Sequence, residues 1–261
     1  MLNLEQIQNY FSPQIRENPA HKKYIIKEYI QLMILNFLAT SKFVKQITFI
    51  GGTNLRLVKG IDRFSEDLDF DCKNFSAEDF AELSQSVLTF LKRSGIQAET
   101  REKQSEKLTA FRSSIYFPKL LFDLGLSAYK EERFLIKIES QNQEFEYMPQ
   151  MAIINSCGFF ISFPVPPDDI LCSMKLSALL SRAKGRDFYD ALFLLSQTKP
   201  NYDFLTKKQN IYNLTELKAN LIETIEKVDL QNKSKDFEHL LFNKDNKYRI
   251  FNFNEFIKNL N

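Results

Sequence analysis

Apolar residues recur at three- and four-residue spacing through Tyr24, Ile25, Tyr29, Leu32, Met33 and Phe37, which predicts an amphipathic helix over residues 22–40 packed on a core. Ile47–Ile50 then forms a short β-branched and aromatic run that stops at Gly51-Gly52, the pattern of a buried strand entering a turn. Thr53 is the expected N-cap of a short helix ending near Gly60. Beyond it, Leu68, Phe70 and Cys72 alternate with Asp67, Asp69 and Asp71, which predicts a strand with one apolar and one acidic face. Ser76 and Asp79 form a capping-box pair for the next helix, and Gly95 marks its end. Residues 96–139 read as mainly extended, with strands near 108–117 and 134–139.

Pro164, Pro166 and Pro167 are the strongest punctuation in the chain, and Asp168 after them is the expected cap of a helix running to Arg182. Gly185 is expected to break that helix before a second one in RDFYDALFLLSQ, and the chain beyond Pro200 reads as helical with polar connections. These elements predict an α+β fold of two lobes: residues 1–163 carry a mixed sheet flanked by helices, and residues 164–261 are mainly helical.

Composition changes this picture little. A chain of 261 residues with 44% hydrophobic content can bury a sizeable core, and 35 basic against 33 acidic residues give a net charge of +2, too balanced to indicate nucleic-acid binding by charge alone. Cys72, Cys157 and Cys172 are odd in number and scattered, which fits neither a disulfide framework nor a zinc site and points to a reducing cytoplasm. The start of the sequence lacks the charged-then-apolar pattern of a secretory signal. The richest apolar stretch, residues 24–40, carries Lys27, Glu28, Gln31 and Asn36, so no membrane span is expected. His21 and His239 sit in polar surroundings with no Cys or Ser pattern around them and read as surface residues.

The acidic strand raises the chemical question. Carboxylates at 67, 69 and 71 project to one side about 7 Å apart, a spacing at which they repel one another unless cations intervene. A solvated strand face is the ordinary explanation for such alternation. The preceding strand, glycine pair and helix start add a second possibility, because exposed helical amides attract anions such as phosphate, while carboxylates beside them can hold Mg²⁺. Glu139, alternating with Ile136 and Ile138 and sharing a face with Lys137, is the candidate third carboxylate. In MKLSALLSRAKGRDFYD, Lys175 and Arg182 share a helix face, with the Lys175 ammonium expected to reach out of a mostly apolar helix toward a phosphate, and Asp187 and Asp190 lie three apart on the next. Helix capping by Asp187 and a solvated turn at Arg182 are the plainer alternatives.

The stretches FIGGTNLRLVKGIDRFSEDLDF, KIES and KLSALLSRAKGRDFYDALFLL, in this order, resemble the AbiEii/AbiGii-type nucleotidyltransferase toxins over roughly residues 25–195. The resemblance implies a polymerase-β-like nucleotidyltransferase core with a helical second lobe. It implies that Gly51, Gly52 and Thr53 form the phosphate-cradling turn, that Asp67 and Asp69 bind metal, and that Ser65, with Arg63 beside it, belongs to the same site. Lys175 matches the lysine that meets nucleotide phosphates, Asp187 an active-site acid in the last motif, and Glu139 a third metal ligand through a shorter pattern, while Arg182, on the helix face of Lys175, is the further nucleotide-binding candidate. Mg²⁺ or Mn²⁺ and an NTP are the implied cofactor and substrate, an RNA such as a tRNA 3′ end the implied acceptor, and a cognate antitoxin the implied partner. Phage defence is the implied setting alongside toxin-antitoxin function. A non-catalytic RNA- or partner-sequestering protein on the same fold, and transfer to a protein or small-molecule hydroxyl, are the alternatives. Residues 92–137 hold ten Lys or Arg against six Asp or Glu, the local surplus that an RNA grip would need.

Overall fold

Alternation of buried and polar residues along short strands builds the first part of the computed structural model, which describes residues 2–100 and 111–261. The chain divides into two units: Met1–Gly60, Phe64–Glu144 and Pro149–Val165 form the first, and Ile61–Arg63, Phe145–Met148 and Pro166–Asn261 the second. In the first unit, α1 (Leu4–Gln8) and α2 (Pro13–Arg16) precede α3 (Lys22–Ala39), β1 (Ile47–Ile50), α4 (Gly51–Leu57), β2 (Leu68–Cys72), α5 (Ala77–Arg93), β3 (Glu99–Thr100), β4 (Phe111–Tyr116), α6 (Leu120–Asp123), β5 (Leu135–Gln141), β6 (Gln150–Ser156) and β7 (Phe159–Val165). Part of the strand expected near 108–117 and part of the basic stretch 92–137 lie outside the described residues.

Five strands form a mixed sheet in the order β1-β2-β5-β4-β3, in which only β2 and β5 run parallel. Parallel neighbours need a long crossover, and here α5, β3, β4 and α6 lie between them. One face of the sheet is apolar: Phe49, Phe70, Ile115, Ile136 and Ile138 are all buried. Phe163 of the β6–β7 hairpin packs on that face, 6.0 Å from both Phe49 and Phe70 between ring centroids. The helix α3 is buried on most of its surface, with Ile25, Ile26, Ile30, Leu32, Ile34, Leu35 and Leu38 joined by Lys27, Glu28 and Gln31, rather than on one apolar face as its spacing predicts. Its charges survive burial through pairing: Glu28 takes both Nε and Nη2 of Arg56 at 2.8 and 3.0 Å, and Lys27 meets Glu66 at 3.2 Å.

His21 corrects the expectation of a surface residue. It is 1% exposed, its Nδ1 lies 3.3 Å from the Ile15 carbonyl and its Nε2 lies 3.2 Å from the Asn18 side chain, and its ring meets Phe64 edge-on. A histidine whose two nitrogens are both satisfied can be buried in a turn that reads as polar. His239 is exposed, as expected.

The second unit is helical: α7 (Asp168–Arg182), α8 (Gly185–Leu195), α9 (Tyr202–Gln209), α10 (Leu214–Glu226), α11 (Leu230–Lys235) and α12 (Phe253–Asn259). Leu176, Leu179, Phe188, Leu194, Leu205, Leu217, Leu221, Phe237 and Phe253 fill its interior. Asp168 is the first helical residue rather than the cap, which is Pro167. The break after α7 falls at Ala183, in the left-handed conformation at φ 46°, and not at Gly185. Gly185 instead opens α8, where any Cβ would collide with the Lys233 carbonyl of α11, so the glycine serves helix packing.

Within this unit Arg63 donates from Nε and Nη2 to Asp190 at 2.8 and 2.7 Å, and Lys175 Nζ donates to the same carboxylate at 3.0 Å. Arg63 and Asp190 are 1% and 0% exposed. Burial by itself would raise the Asp190 pKa, but the charges and hydrogen bonds of Arg63 and Lys175 outweigh it and hold the carboxyl below its ordinary value. No helix among the described residues is long and apolar enough to cross a membrane.

Asp190→Asn leaves two buried cations without their counter-charge and should cost about 3–5 kcal/mol at pH 7, the usual penalty for breaking a buried pair. Because the folded pKa is depressed, this stabilisation is present above the unfolded carboxylate value of about 3.9 and disappears as pH falls through the folded value. Urea denaturation of both forms at pH 7 and below pH 4 checks this: the gap should narrow in acid, and equal stability at pH 7 would contradict it.

Candidate active site

The polar face of the sheet gathers carboxylates by register. Ile50, Asp69, Glu139 and Arg112 lie side by side across β1, β2, β5 and β4, so the Asp69 and Glu139 side chains project together from adjacent parallel strands about 4.8 Å apart. Asp67 precedes β2, one row along, and its carboxylate lies 3.8 Å from Lys137 of β5. Arg112 approaches Glu139 at 3.3 Å. The repulsion that the sequence raises is therefore met in this structure by two exposed cations, one for each outer carboxylate. Asp71 leaves the group: it is buried and accepts the backbone N–H of Gln143 at 2.8 Å, so it secures the strand end.

The glycine turn is fitted to Asp69. Gly51 adopts φ 81°, a conformation that side chains rarely take, and a Cβ built there would collide with the Asp69 carboxylate. Gly51 opens α4 and Ile50 stands at its cap position, so Thr53 is not the N-cap. Its hydroxyl donates instead to the Asp67 carbonyl, while the Asn54 side chain donates to the Phe49 carbonyl at 2.7 Å. Both bonds tie α4 to the ends of the two strands, and Thr53 holds the backbone that carries Asp67. Gly52 is half-buried within the first turn of the same helix. Ser65 is buried two residues before Asp67, and its carbonyl accepts from Gln31 Nε2 at 3.3 Å.

Asp67, Asp69, Glu139, Gly51, Gly52, Thr53 and Ser65 thus all belong to the first unit. Lys175, Arg182 and Asp187 belong to the second, where each has a partner. The Lys175 ammonium does not reach out of its helix as expected; its side chain is 10% exposed and ends on Asp190. Asp187 is fully buried, accepts Arg182 through both oxygens at 2.9 and 2.8 Å, and accepts the backbone N–H of the N-cap Lys184 at 3.1 Å, as the third residue of a capping box does. Sequence reasoning missed the joint role of Arg63 and Asp190. It also missed Arg112, whose place opposite Glu139 only strand register reveals.

No group of three His, Cys, Asp or Glu side chains among the described residues is gathered into a ready-made metal cage. The donor set is a neighbouring pair, Asp69 and Glu139, with Asp67 beside it. That fits Mg²⁺, which takes one or two carboxylates and completes its octahedron with water and substrate phosphate. The oxygens lie on a partly exposed face, with the Asp67 and Glu139 side chains 24% and 27% exposed.

The sequence and the fold resemble known proteins. The family model described as nucleotidyl transferase AbiEii toxin, type IV toxin-antitoxin system, matches residues 34–250. Among solved structures, MenT4, a nucleotidyltransferase toxin from Mycobacterium tuberculosis, is similar at a TM-score of 0.67 and 15% identity, over 100% of this chain and 91% of that one. JHP933 from Helicobacter pylori is similar at 0.52 and 19% identity, over 90% and 91%. A second H. pylori structure, a putative nucleotidyltransferase, gives 0.51 and 19% over 95% and 96%. No curated protein matches the sequence.

Gly51→Ala should destabilise the protein by more than the roughly 1–2 kcal/mol that a left-handed backbone costs an L-residue. Gly60→Ala is the control, because Gly60 has φ 78° but nothing within 4 Å of its missing Cβ. Thermal melting of both variants separates strain from collision: the Gly51 variant should fall further, and equal shifts would remove the Asp69 collision from the explanation.

Proposed function

Since the chain belongs to the AbiEii nucleotidyl transferase toxin family and is a nucleotidyltransferase, we propose that it works as the toxin of a toxin-antitoxin pair by moving a nucleotide from an NTP onto the 3′ hydroxyl of an RNA, with Mg²⁺ or Mn²⁺ bound at Asp67, Asp69 and Glu139. The observation that carries this reading is the row of Asp69 and Glu139 on neighbouring parallel strands, with Asp67 beside them and Gly51 shaped to the Asp69 carboxylate.

Nucleotidyl transfer forms one P–O bond from the acceptor oxygen to the α-phosphorus, breaks the bond to the β-phosphate oxygen, and releases pyrophosphate and a proton. A divalent ion held by Asp67, Asp69 and Glu139 would neutralise charge on the phosphates and lower the pKa of the attacking hydroxyl. The protein's contribution is position and charge. Asp69 and Glu139 hold their oxygens side by side because strand register fixes them, and Thr53 fixes the backbone of Asp67. Lys137 and Arg112 balance Asp67 and Glu139, and both are exposed enough to reach a substrate phosphate. The Gly51–Thr53 turn is assigned to the NTP phosphates, and Ser65, anchored to Gln31 of α3, lies two residues before Asp67.

Of the residues assigned by resemblance in the second unit, Lys175 meets an NTP phosphate only by sharing or leaving Asp190. Arg182 and Asp187 close on one another, which favours a supporting role for that pair. A cytoplasmic site of action, a role in phage defence and a cognate antitoxin fit the family reading.

Purified protein incubated with each α-labelled NTP, Mg²⁺ and total RNA should label RNA. Asp67→Asn and Asp69→Asn should each lower that labelling more than about 100-fold, because even the outer partners of a bound metal are worth roughly 10–100-fold. Melting should change little, since each residue sits on a partly exposed face. In a bacterial host, expression of the wild-type chain should arrest growth and the Asp69→Asn form at matched level should not. Equal labelling, or equal arrest, by wild type and variant would overturn the metal-dependent reading.

A further inference from the structure

Beside the carboxylate row the same face of the sheet opens into a cleft of about 860 Å³, which continues from Glu139 to the segment around Arg133. Register fixes its floor: Arg112, Ser114 and Tyr116 alternate along β4 on the side that carries Lys137 and Glu139 on β5. Tyr116 pairs with Leu135, four residues from Glu139, so its ring lies about 13 Å along the sheet from the carboxylates at the usual strand rise. Arg133 sits over that ring, its Cζ 5.3 Å from the centroid, and its Nη2 donates to the Tyr116 hydroxyl at 2.8 Å. Lys119 and Lys130 complete a set of five cations with Arg112, Arg133 and Lys137, and Lys130 lies 5.3 Å above the Phe122 ring. Four glutamates also line the cleft, and one of them is Glu139 of the carboxylate row.

We infer that this cleft is the track of the acceptor: it holds the single-stranded segment leading to the 3′ hydroxyl of a polynucleotide, with the terminal sugar at Asp69 and Glu139 and the preceding nucleotides running toward Tyr116. The inference rests on the nucleotidyl-transfer reading above and specifies where that reaction takes its second substrate. Three observations carry it. The cleft begins at Glu139, the member of the carboxylate row whose register neighbour is Asp69. Its cations are spread over the sheet, the start of α6 and the loop before β5, which matches a backbone with one charge per nucleotide better than a triphosphate with its charges adjacent. An aromatic ring with a guanidinium over it is the platform on which a single-stranded base stacks, and a duplex would keep its base faces hidden.

Lys130 and Arg133 are exposed and outside the carboxylate site, so Lys130→Gln with Arg133→Gln should leave the fold and melting temperature unchanged. Binding of a 3′-hydroxyl single-stranded RNA oligonucleotide, read by fluorescence anisotropy without NTP, should weaken about tenfold or more. The slope of log affinity against log salt should shrink by about 1.4, since each phosphate that a cation neutralises on a single strand contributes about 0.7. NTP affinity by calorimetry should not move, and in transfer assays KM for RNA should rise while kcat at saturating RNA holds. Unchanged RNA affinity, absence of RNA binding by the wild type, or a matching loss of NTP affinity would each overturn the inference, the last by giving the cleft to the triphosphate. RNA binding that depends on these residues in a wild-type protein that transfers nothing would support the cleft and sink the transfer reading instead.

Discussion

Holding Asp69 against Glu139 is the constraint around which the first unit is organised. Two carboxylates on neighbouring strands repel, and nothing in a β-ladder compensates for it locally. The surrounding structure supplies the compensation piece by piece. The apolar face, through Phe49, Phe70 and Ile138, binds the strands to the core strongly enough to keep the register that brings the acids together. A one-residue slip of β5 would turn Glu139 inward and Ile138 outward, so burial and site geometry are set by the same register. Gly51 gives the Asp69 carboxylate the room that any side chain would take, Thr53 pins the backbone of Asp67, and Lys137 and Arg112 supply positive charge from the solvent side.

Much of this was legible in the sequence because it depends on local periodicity. The two-residue alternation of Leu68–Cys72 and of the FLIKIES segment assigns each acid to a face without reference to the rest of the chain. The capping box of Ser76 and Asp79 is likewise a local pattern, and it forms. What alternation does not contain is the identity of the neighbouring strand. That β2 lies parallel to β5, and that Arg112 faces Glu139, are long-range pairings set by the packing of the whole sheet. Thr53 illustrates a subtler limit. A threonine after two glycines satisfies every local criterion for a cap, but the left-handed Gly51 starts the helix three residues earlier than that cap would and frees the hydroxyl for the Asp67 carbonyl.

The charged residues of the second unit were the hardest to read, for a reason that electrostatics makes plain. Helical spacing tells which side chains share a face, and on that basis Lys175 and Arg182 look like a row of exposed cations. Whether a cation on such a face points to water or inward depends on a counter-charge, and for Lys175 that counter-charge is Asp190, fifteen residues away on another helix, shared with Arg63, 127 residues from Asp190. Asp187 is different: its partner Arg182 is five residues away and its capping bond to Lys184 is three away, so its structural role was visible as an alternative from the start.

The short segment from Arg63 to Asp69 therefore carries two unlike electrostatic tasks. Arg63 is buried and gives its charge to a carboxylate that only pairing keeps ionised in the interior, so its contribution is to stability. Asp67 and Asp69, four and six residues later, remain partly exposed, and the charge of Asp67 is balanced by Lys137 on the open face of the sheet rather than by a buried partner. The difference follows from what each charge is for. A buried pair gains from permanence, since opening it exposes two uncompensated charges to a low-dielectric interior. A site that binds a cation and a polyanionic substrate must release its resting counter-ions at modest cost, and surface pairs such as Asp67 with Lys137, worth about 1 kcal/mol or less, meet that condition. A substitution at Arg63 should accordingly be felt first as lost stability and one at Asp69 first as lost chemistry, although the two lie only six residues apart in the sequence.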